Sequence, residues 1–185
     1  MKYERSSIPD HDEAAGPAER LRSELTHFDA AGRARMVDVS AKAPTVREAI
    51  ATATVAMLQP TWQMIREGRH VKGDVLAVAQ VAGIMAAKRT ADLIPMCHPI
   101  PVEAIELAFM PSCDPPAIHL TATVRTTSRT GVEMEALTAV TVAALTIYDM
   151  CKAVDREMTI SRVCLLRKTG GKSGHWERAG SVDEA

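Results

Sequence analysis

Two long runs of apolar and small residues predict the helices that form the core. Residues 75–89 follow Asp74, whose carboxylate caps a helix, and carry only Gln80 as a strongly polar side chain before the final cations. Thr130 and Glu133 have capping-box spacing and predict a second helix that ends near residue 154. Helices that are apolar all round are buried on more than one side, so we expect either a second subunit over their outer faces or burial of both within one subunit.

Shorter segments with alternating polar and apolar residues predict four strands, at residues 36–40, 102–110, 118–127 and 158–166. The Pro-rich segment 111–116 is expected to be a hairpin loop. Thr45 and Glu48 also have capping-box spacing, which predicts a helix from about residue 46 that breaks near Pro60 and a second segment that ends at Gly68.

The predicted order is strand, helices, strand, strand, helix, strand. This order is typical of an α+β fold, the ferredoxin-like split βαβ sandwich, here with an extra helix. An antiparallel sheet covered by helices on one face follows from it.

Length and composition predict one domain of residues 23–168, a disordered N-terminal arm of residues 1–22 and a flexible C-terminal tail of residues 169–185. The net charge of −1 and an aromatic content of 3% argue against a nucleic-acid partner. The four cysteines form no CxxC motif, the N-terminus has no apolar signal core, and no apolar run reaches the roughly 18 residues of a membrane span. We therefore expect a cytoplasmic protein without a membrane partner.

Residues 88–99 carry the most specific chemistry of the chain. Lys88 and Arg89 precede Cys97 and His98, which two prolines flank. Prolines restrict the backbone, so we expect His98 on a stiff turn beside cations, as a site for a phosphorylated substrate requires. The other histidines are scattered, so the Cys97–His98 pair does not predict a metal site.

The second predicted helix has charged residues only at its ends. Asp149 and Lys152 are three residues apart and share one face. They form a proton-transfer pair if shielded from water and an ordinary surface ion pair if not. At the other end, Glu133 has a structural role in the capping box, whereas Glu135 has none and is the better functional candidate.

Glu135 and Asp149 are about 21 Å apart along a helix that rises 1.5 Å per residue. One subunit does not easily bring both ends of this helix to one small substrate. Two copies packed antiparallel about a twofold axis would do so, which predicts a shared site at a subunit interface.

Two glycine-containing segments offer further cations for phosphate groups. Lys72 precedes Gly73 at the start of the helix from residue 75, where anions are favoured, although a solvated loop has the same composition. Lys168 and Lys172 flank a Gly-Gly pair in a nest-like segment, which is either ordered by substrate or merely flexible.

The chain resembles the cyclic pyranopterin monophosphate synthase accessory family, the C protein of molybdenum cofactor biosynthesis. The resemblance covers residues 25–174 and is carried by the motifs MVDVS (36–40), KGD (72–74), AAKRT (86–90), DLIP (92–95), CHP (97–99), TGVEMEALTA (130–139) and YDMCKAV (148–154).

The resemblance implies a ferredoxin-like fold and a homohexamer built as a trimer of dimers, with sites at dimer interfaces. It implies conversion of 3′,8-cyclised GTP, made by a radical GTP cyclase, into cyclic pyranopterin monophosphate with release of pyrophosphate. Asp149 is then the catalytic acid/base and Lys152 its partner.

The remaining implied site residues contact the substrate or its phosphates: Met96, Cys97, His98, Met134, Glu135, Lys72, Lys88 and Lys168. Family members often have Leu where Met96 stands, which is a mild change. The chemistry requires no cofactor and admits Mg²⁺ bound with the substrate phosphates.

Two other functions are compatible with these features. A non-catalytic nucleotide or pterin sensor would keep the lysines without needing the Asp149–Lys152 pair. A structural oligomer would use the apolar helices for assembly alone.

Overall fold

The computed structural model describes residues 31–68 and 73–179. The chain divides into two compact units, Met1–Val37 and Asp38–Ala185, and every element below belongs to the second. The strands are β1 (Thr45–Ala56), β2 (Ala104–Cys113), β3 (Pro116–Ser128), β4 (Thr159–Thr169) and β5 (Trp176–Glu177). The helices are α1 (Gln59–Arg66), α2 (Val75–Ala87), α3 (Thr90–Leu93) and α4 (Glu133–Cys151).

The five strands form one antiparallel sheet in the order β2-β3-β1-β4-β5. Its first four strands have the order of the ferredoxin-like fold. In this order β3 lies between β1 and β2, and β1 lies between β3 and β4. The α+β fold and the helix-covered antiparallel sheet expected from the sequence are therefore confirmed.

The helix predicted from residue 46 is wrong, since β1 occupies Thr45–Ala56 and only α1 is helical before Gly68. Ala49, Ala51 and Ala53 are fully buried at every second position, which is the period of a strand. Glu48 makes no capping box: its carboxylate accepts hydrogen bonds from Arg125 (2.6 Å) and Arg167 (3.0 Å) on the two neighbouring strands. The hydrogen bond from Arg125 is the main reason that the pKa of Glu48 lies below its usual value.

The strand predicted at residues 36–40 is also wrong. The amide of Ser40 donates to Asp38 Oδ1 (2.9 Å) and the amide of Lys42 donates to Val39 O (3.0 Å), so the chain turns here. Asp and Ser favour such turns because their side chains bond to nearby backbone groups.

The other elements agree with the prediction in type and differ at their ends. The β2–β3 hairpin is tighter than predicted, since only residues 114–115 separate the strands. Asp74 caps α2 as predicted, accepting from the amides of Leu76 and Ala77 at 3.0 Å each. The capping box of Thr130 and Glu133 is absent, because Val132 is the N-cap of α4 and makes no side-chain cap bond.

The core lies between one face of the sheet and the two long helices that cover it: α4 packs on β1, β3 and β4, and α2 packs on β2 and on α4. The fully buried small residues of the core are, on the sheet, Ala49, Ala51 and Ala53 of β1 and, on α4, Ala136, Ala139, Ala143 and Ala144. Where α2 meets α4 and β2, Gly83 of α2 lies so close to both that a Cβ atom there would be 2.9 Å from Ala139 O and 2.7 Å from Leu107 Cδ2. Small side chains therefore set the spacing of the layers.

Gly83→Ala tests this close approach. Alanine normally stabilises a helix by about 1 kcal/mol relative to glycine. Here we expect a loss of about 1–3 kcal/mol in the free energy of unfolding, because the added methyl group meets backbone on one side and a packed leucine on the other. Chemical denaturation measures the change, and Gln80→Ala, at an exposed position of the same helix, is the matched control. A Gly83→Ala protein as stable as wild type would contradict the packing described.

Candidate functional site

The start of α4 gathers acidic and basic groups from two elements. Lys168 Nζ on β4 lies 2.9 Å from Glu133 Oε1 in the first turn of α4. Both side chains are little more than a quarter exposed, 28% and 27%, so this ion pair is partly shielded from water. Lys168 of β4 pairs with Ala49 of β1, so the two side chains lie on the same face of the sheet. This is the face against which α4 packs.

Glu135 lies two residues further along the same turn and is almost completely buried, with 4% of its surface exposed. Burial raises the pKa of the Glu135 carboxyl, and the nearby Glu133 carboxylate raises it further. A buried carboxyl with a raised pKa in a cluster of charged groups is typical of a functional site.

The segment between two prolines joins this cluster. Cys97 is half-buried, and both its burial and the nearby Glu135 carboxylate raise the pKa of the thiol. Met96 and His98, on either side of Cys97, are likewise half-buried, and Met134 is exposed on the first turn of α4. The structure thus brings Cys97, Glu135 and Lys168, predicted separately from the sequence, to one end of α4.

The opposite end of α4 carries the predicted proton-transfer pair. Lys152 Nζ lies 2.5 Å from Asp149 Oδ1, and the side chains are 54% and 65% exposed. Within one chain the pair is therefore open to solvent. The 14 residues from Glu135 to Asp149 correspond to about 21 Å of helix, so one chain does not bring the two ends together.

The other predicted cations do not join this cluster within the described residues. Lys88 is the exposed C-cap of α2, and Lys72 lies outside the described residues. After Lys168, Gly170 and Gly171 both adopt positive φ (+91° and +72°). The chain then turns back, so that Trp176 of β5 pairs with Lys168 of β4.

Sequence reasoning missed two supporting residues. Arg47 donates to Ser128 O (2.9 Å) and Arg129 O (3.0 Å), which ties β1 to the segment that precedes α4. Gly131 lies directly under the Glu133 carboxylate, which a Cβ atom at this position would overlap. Neither contact has a local sequence signal, because each partner belongs to another turn or element.

Two further observations concern the described part of the chain. In residues 31–68 and 73–179, no three His, Cys, Asp or Glu side chains converge as metal ligands would. By length and composition, α4 is long and apolar enough to cross a membrane. Its packing against the sheet and α2 accounts for that composition, as in the core helix of a globular domain.

The fold and the site define a ferredoxin-like α+β protein with charged groups at both ends of a central apolar helix. The sequence profile of the MoaC family matches residues 36–171. The chain is 59% identical over 156 residues to the cyclic pyranopterin monophosphate synthase of Thermomicrobium roseum, covering 84% of this chain and 94% of that protein.

Two more relatives carry the same name. The Thermoanaerobacter pseudethanolicus protein is 60% identical over 154 residues, covering 83% of this chain and 98% of its own length. The Desulfitobacterium hafniense protein is 61% identical over 155 residues, with 84% and 94% covered. The chain belongs to the MoaC family, which confirms the resemblance read from its motifs.

The burial of Glu135 predicts a pH-dependent effect of Glu135→Gln on stability. A carboxyl whose pKa is raised on folding opposes folding wherever it is ionised, and this opposition disappears below its ordinary pKa of 4.5. We therefore expect Glu135→Gln to be more stable than wild type at pH 8, with the difference shrinking as the pH falls toward 4. Denaturation at both pH values measures it.

Glu157→Gln, at an exposed position, is the matched control and should show no such trend. A Glu135→Gln protein that is less stable than wild type at pH 8 would contradict the assigned effect of burial.

Proposed function

We propose that this member of the MoaC family converts 3′,8-cyclised GTP into cyclic pyranopterin monophosphate and pyrophosphate, as an enzyme of molybdenum cofactor biosynthesis. The observation that carries the proposal is the joint presence of the family motifs and a 2.5 Å carboxylate–ammonium pair, Asp149 with Lys152, at the end of α4. The relatives named cyclic pyranopterin monophosphate synthase in Thermomicrobium roseum and Thermoanaerobacter pseudethanolicus match 84% and 83% of this chain.

The proton transfers are assigned to Asp149 and Lys152. Rebuilding a purine-derived ring into a pterin requires protons to leave and return, and a carboxylate beside an ammonium does both once water is excluded. Asp149 acts as the acid/base. Lys152 holds its carboxylate in place through the ion pair.

The phosphate chemistry is assigned to the lysines. In the ring closure, a substrate hydroxyl oxygen bonds to the α-phosphorus, the bond from that phosphorus to the bridging oxygen breaks, and pyrophosphate leaves with that oxygen. The hydroxyl loses its proton to a base in the site. Ammonium groups stabilise the charge that develops on the departing pyrophosphate, and Lys72, Lys88 and Lys168 are the residues proposed for this role.

The substrate ring is assigned to the cluster at the start of α4. Met96, Cys97 and His98 come from the proline-flanked turn, and Met134 and Glu135 from the first helical turn. The buried Glu135 carboxyl, whose raised pKa favours its protonated form, is suited to hydrogen bonding with ring nitrogens and carbonyl groups.

A complete site on this proposal needs two chains in a homohexamer, a trimer of dimers. Asp149 and Lys152 are exposed in one chain, and α2 exposes Val78, Val81 and Met85 along one side, at 45%, 58% and 52%. Apolar residues at i, i+3 and i+7 form one helix face, and a face of this kind is typical of a subunit contact. A second subunit would cover it and shield the pair.

The proposal includes a cytoplasmic location, a functional link to the radical GTP cyclase that makes the substrate, and no partner of nucleic acid or membrane. None of the four cysteines, all of which lie among the described residues, is joined in a disulfide, which suits a reducing compartment. The protein residues carry the proton transfers without a resident cofactor, and the reaction admits Mg²⁺ bound with the substrate phosphates.

Asp149→Asn and Lys152→Ala are expected to lower turnover by about 10²–10⁴-fold while substrate binding survives, because each removes half of the proton-transfer pair. Pyrophosphate release from 3′,8-cyclised GTP measures turnover, and calorimetry measures binding. Exposed Glu157→Gln is the matched control. Normal turnover by either variant would overturn the assignment, and wild-type binding without pyrophosphate release would indicate a sensor.

Mixed oligomers test the shared site. Glu135→Ala and Asp149→Asn are each expected to be inactive alone. If each site takes Glu135 from one subunit and Asp149 from another, random pairing of the two variants restores about one quarter of the sites in a twofold dimer. Co-expression with two tags, followed by purification and activity measurement, detects this recovery. Mixed dimers that remain inactive would show that both residues act within one chain.

A further inference from the structure

We infer that Glu133 is a positioning residue that holds the Lys168 ammonium at the start of α4, and that Gly131 keeps Glu133 in the conformation needed for this. The inference rests on the proposed function, in which Lys168 meets the substrate phosphates. Neither Glu133 nor Gly131 is among the residues assigned above to the substrate.

Glu133 lacks the structural role that its sequence spacing indicates. A capping-box glutamate returns its side chain to the N-cap amide, but α4 has Val132 as N-cap and no side-chain bond there. The Glu133 carboxylate instead binds Lys168 Nζ at 2.9 Å across the gap between helix and sheet. Its interaction therefore joins two elements and serves the orientation of Lys168.

Gly131 explains how this conformation is maintained. The Glu133 carboxylate lies over the Cα atom of Gly131, where any side chain would overlap it. The overlapping atoms all belong to the flexible end of Glu133, so a Cβ atom at residue 131 displaces that carboxylate and leaves the backbone in place. Gly131→Ala thus changes the position of the Glu133 carboxylate while keeping its charge.

The ion pair has the properties of a positioning contact. Both side chains are partly shielded, so the geometry is held more firmly than in a fully exposed pair. Lysine has three donors and a flexible stem, and a fixed carboxylate uses one donor while two remain for a phosphate. Because a carboxylate near the site also repels a polyanion, Glu133 is expected to favour turnover rather than ground-state binding.

The kinetic test is a double-mutant cycle on pyrophosphate release. Glu133→Ala and Gly131→Ala are each expected to lower kcat about tenfold, the usual effect of losing a supporting partner, without raising KM. Glu133→Gln should retain more activity than Glu133→Ala, because its amide oxygen still accepts from Lys168. Lys168→Ala should lower kcat and raise KM, and adding Glu133→Ala to it should cost nothing further.

Glu106→Gln, which removes the charge of an exposed ion pair on the sheet, is the matched control for these variants. Additive losses in the double mutant would overturn the inference, as would equal activity of Gly131→Ala and wild type. A fall in thermal stability with unchanged kcat would show that Glu133 has only a structural role.

A second measurement needs no substrate and keeps this inference distinct from the proposed function. A carboxylate that holds the Lys168 ammonium slows acylation of its nitrogen, because the contact covers the atom that the reagent must reach. Acetic anhydride labelling read by peptide mass spectrometry should show Lys168 reacting severalfold faster in Glu133→Ala and Gly131→Ala, relative to exposed Lys42. An unchanged rate would overturn the pairing, whether or not the wild type turns over the cyclised nucleotide.

Discussion

The rest of the structure depends on the close approach that small side chains permit on both sides of α4. Fully buried alanines line β1 and α4, and Gly83 of α2 lies against Ala139 and Ala143 of α4. Protein interiors are packed as densely as organic crystals, so layers this close cannot slide or tilt without overlap. The helix α4 is therefore held rigidly, and its two ends keep fixed positions relative to the sheet.

This rigidity explains how residues far apart in the sequence meet at the start of α4. Lys168 comes from β4, Cys97 from the turn after α3, and Glu133 and Glu135 from the helix itself. Each element reaches the helix N-terminus because the sheet and α2 hold α4 in one place. Burial then distinguishes the two glutamates: Glu135 is desolvated and its pKa rises, whereas Glu133 lies in a partly exposed ion pair.

The two ends of α4 differ in how much of a site one chain provides. The start has a buried carboxyl, a half-buried thiol and a shielded ion pair. The end has Asp149 and Lys152 in contact with solvent, where an ion pair contributes at most about 1 kcal/mol and transfers protons mainly to water. A proton-transfer role for this pair thus requires a cover, which is the physical reason for proposing that the enzyme works as an oligomer.

The sequence predicted the features that arise from local periodicity and from unusual residue combinations. The apolar runs predicted α2 and α4, the alternation predicted β2, β3 and β4, and the motifs around Cys97, Glu135 and Asp149 identified the family.

Local signals failed where a side chain has a distant partner. Both predicted capping boxes were absent because Glu48 binds arginines of neighbouring strands and Glu133 binds Lys168. The alanines of β1, good helix formers in isolation, are in a strand because strands on both sides pair with it. Tertiary packing alone decided which charged groups meet and which stay exposed, because desolvation and cross-element contact depend on neighbours that a local pattern does not contain.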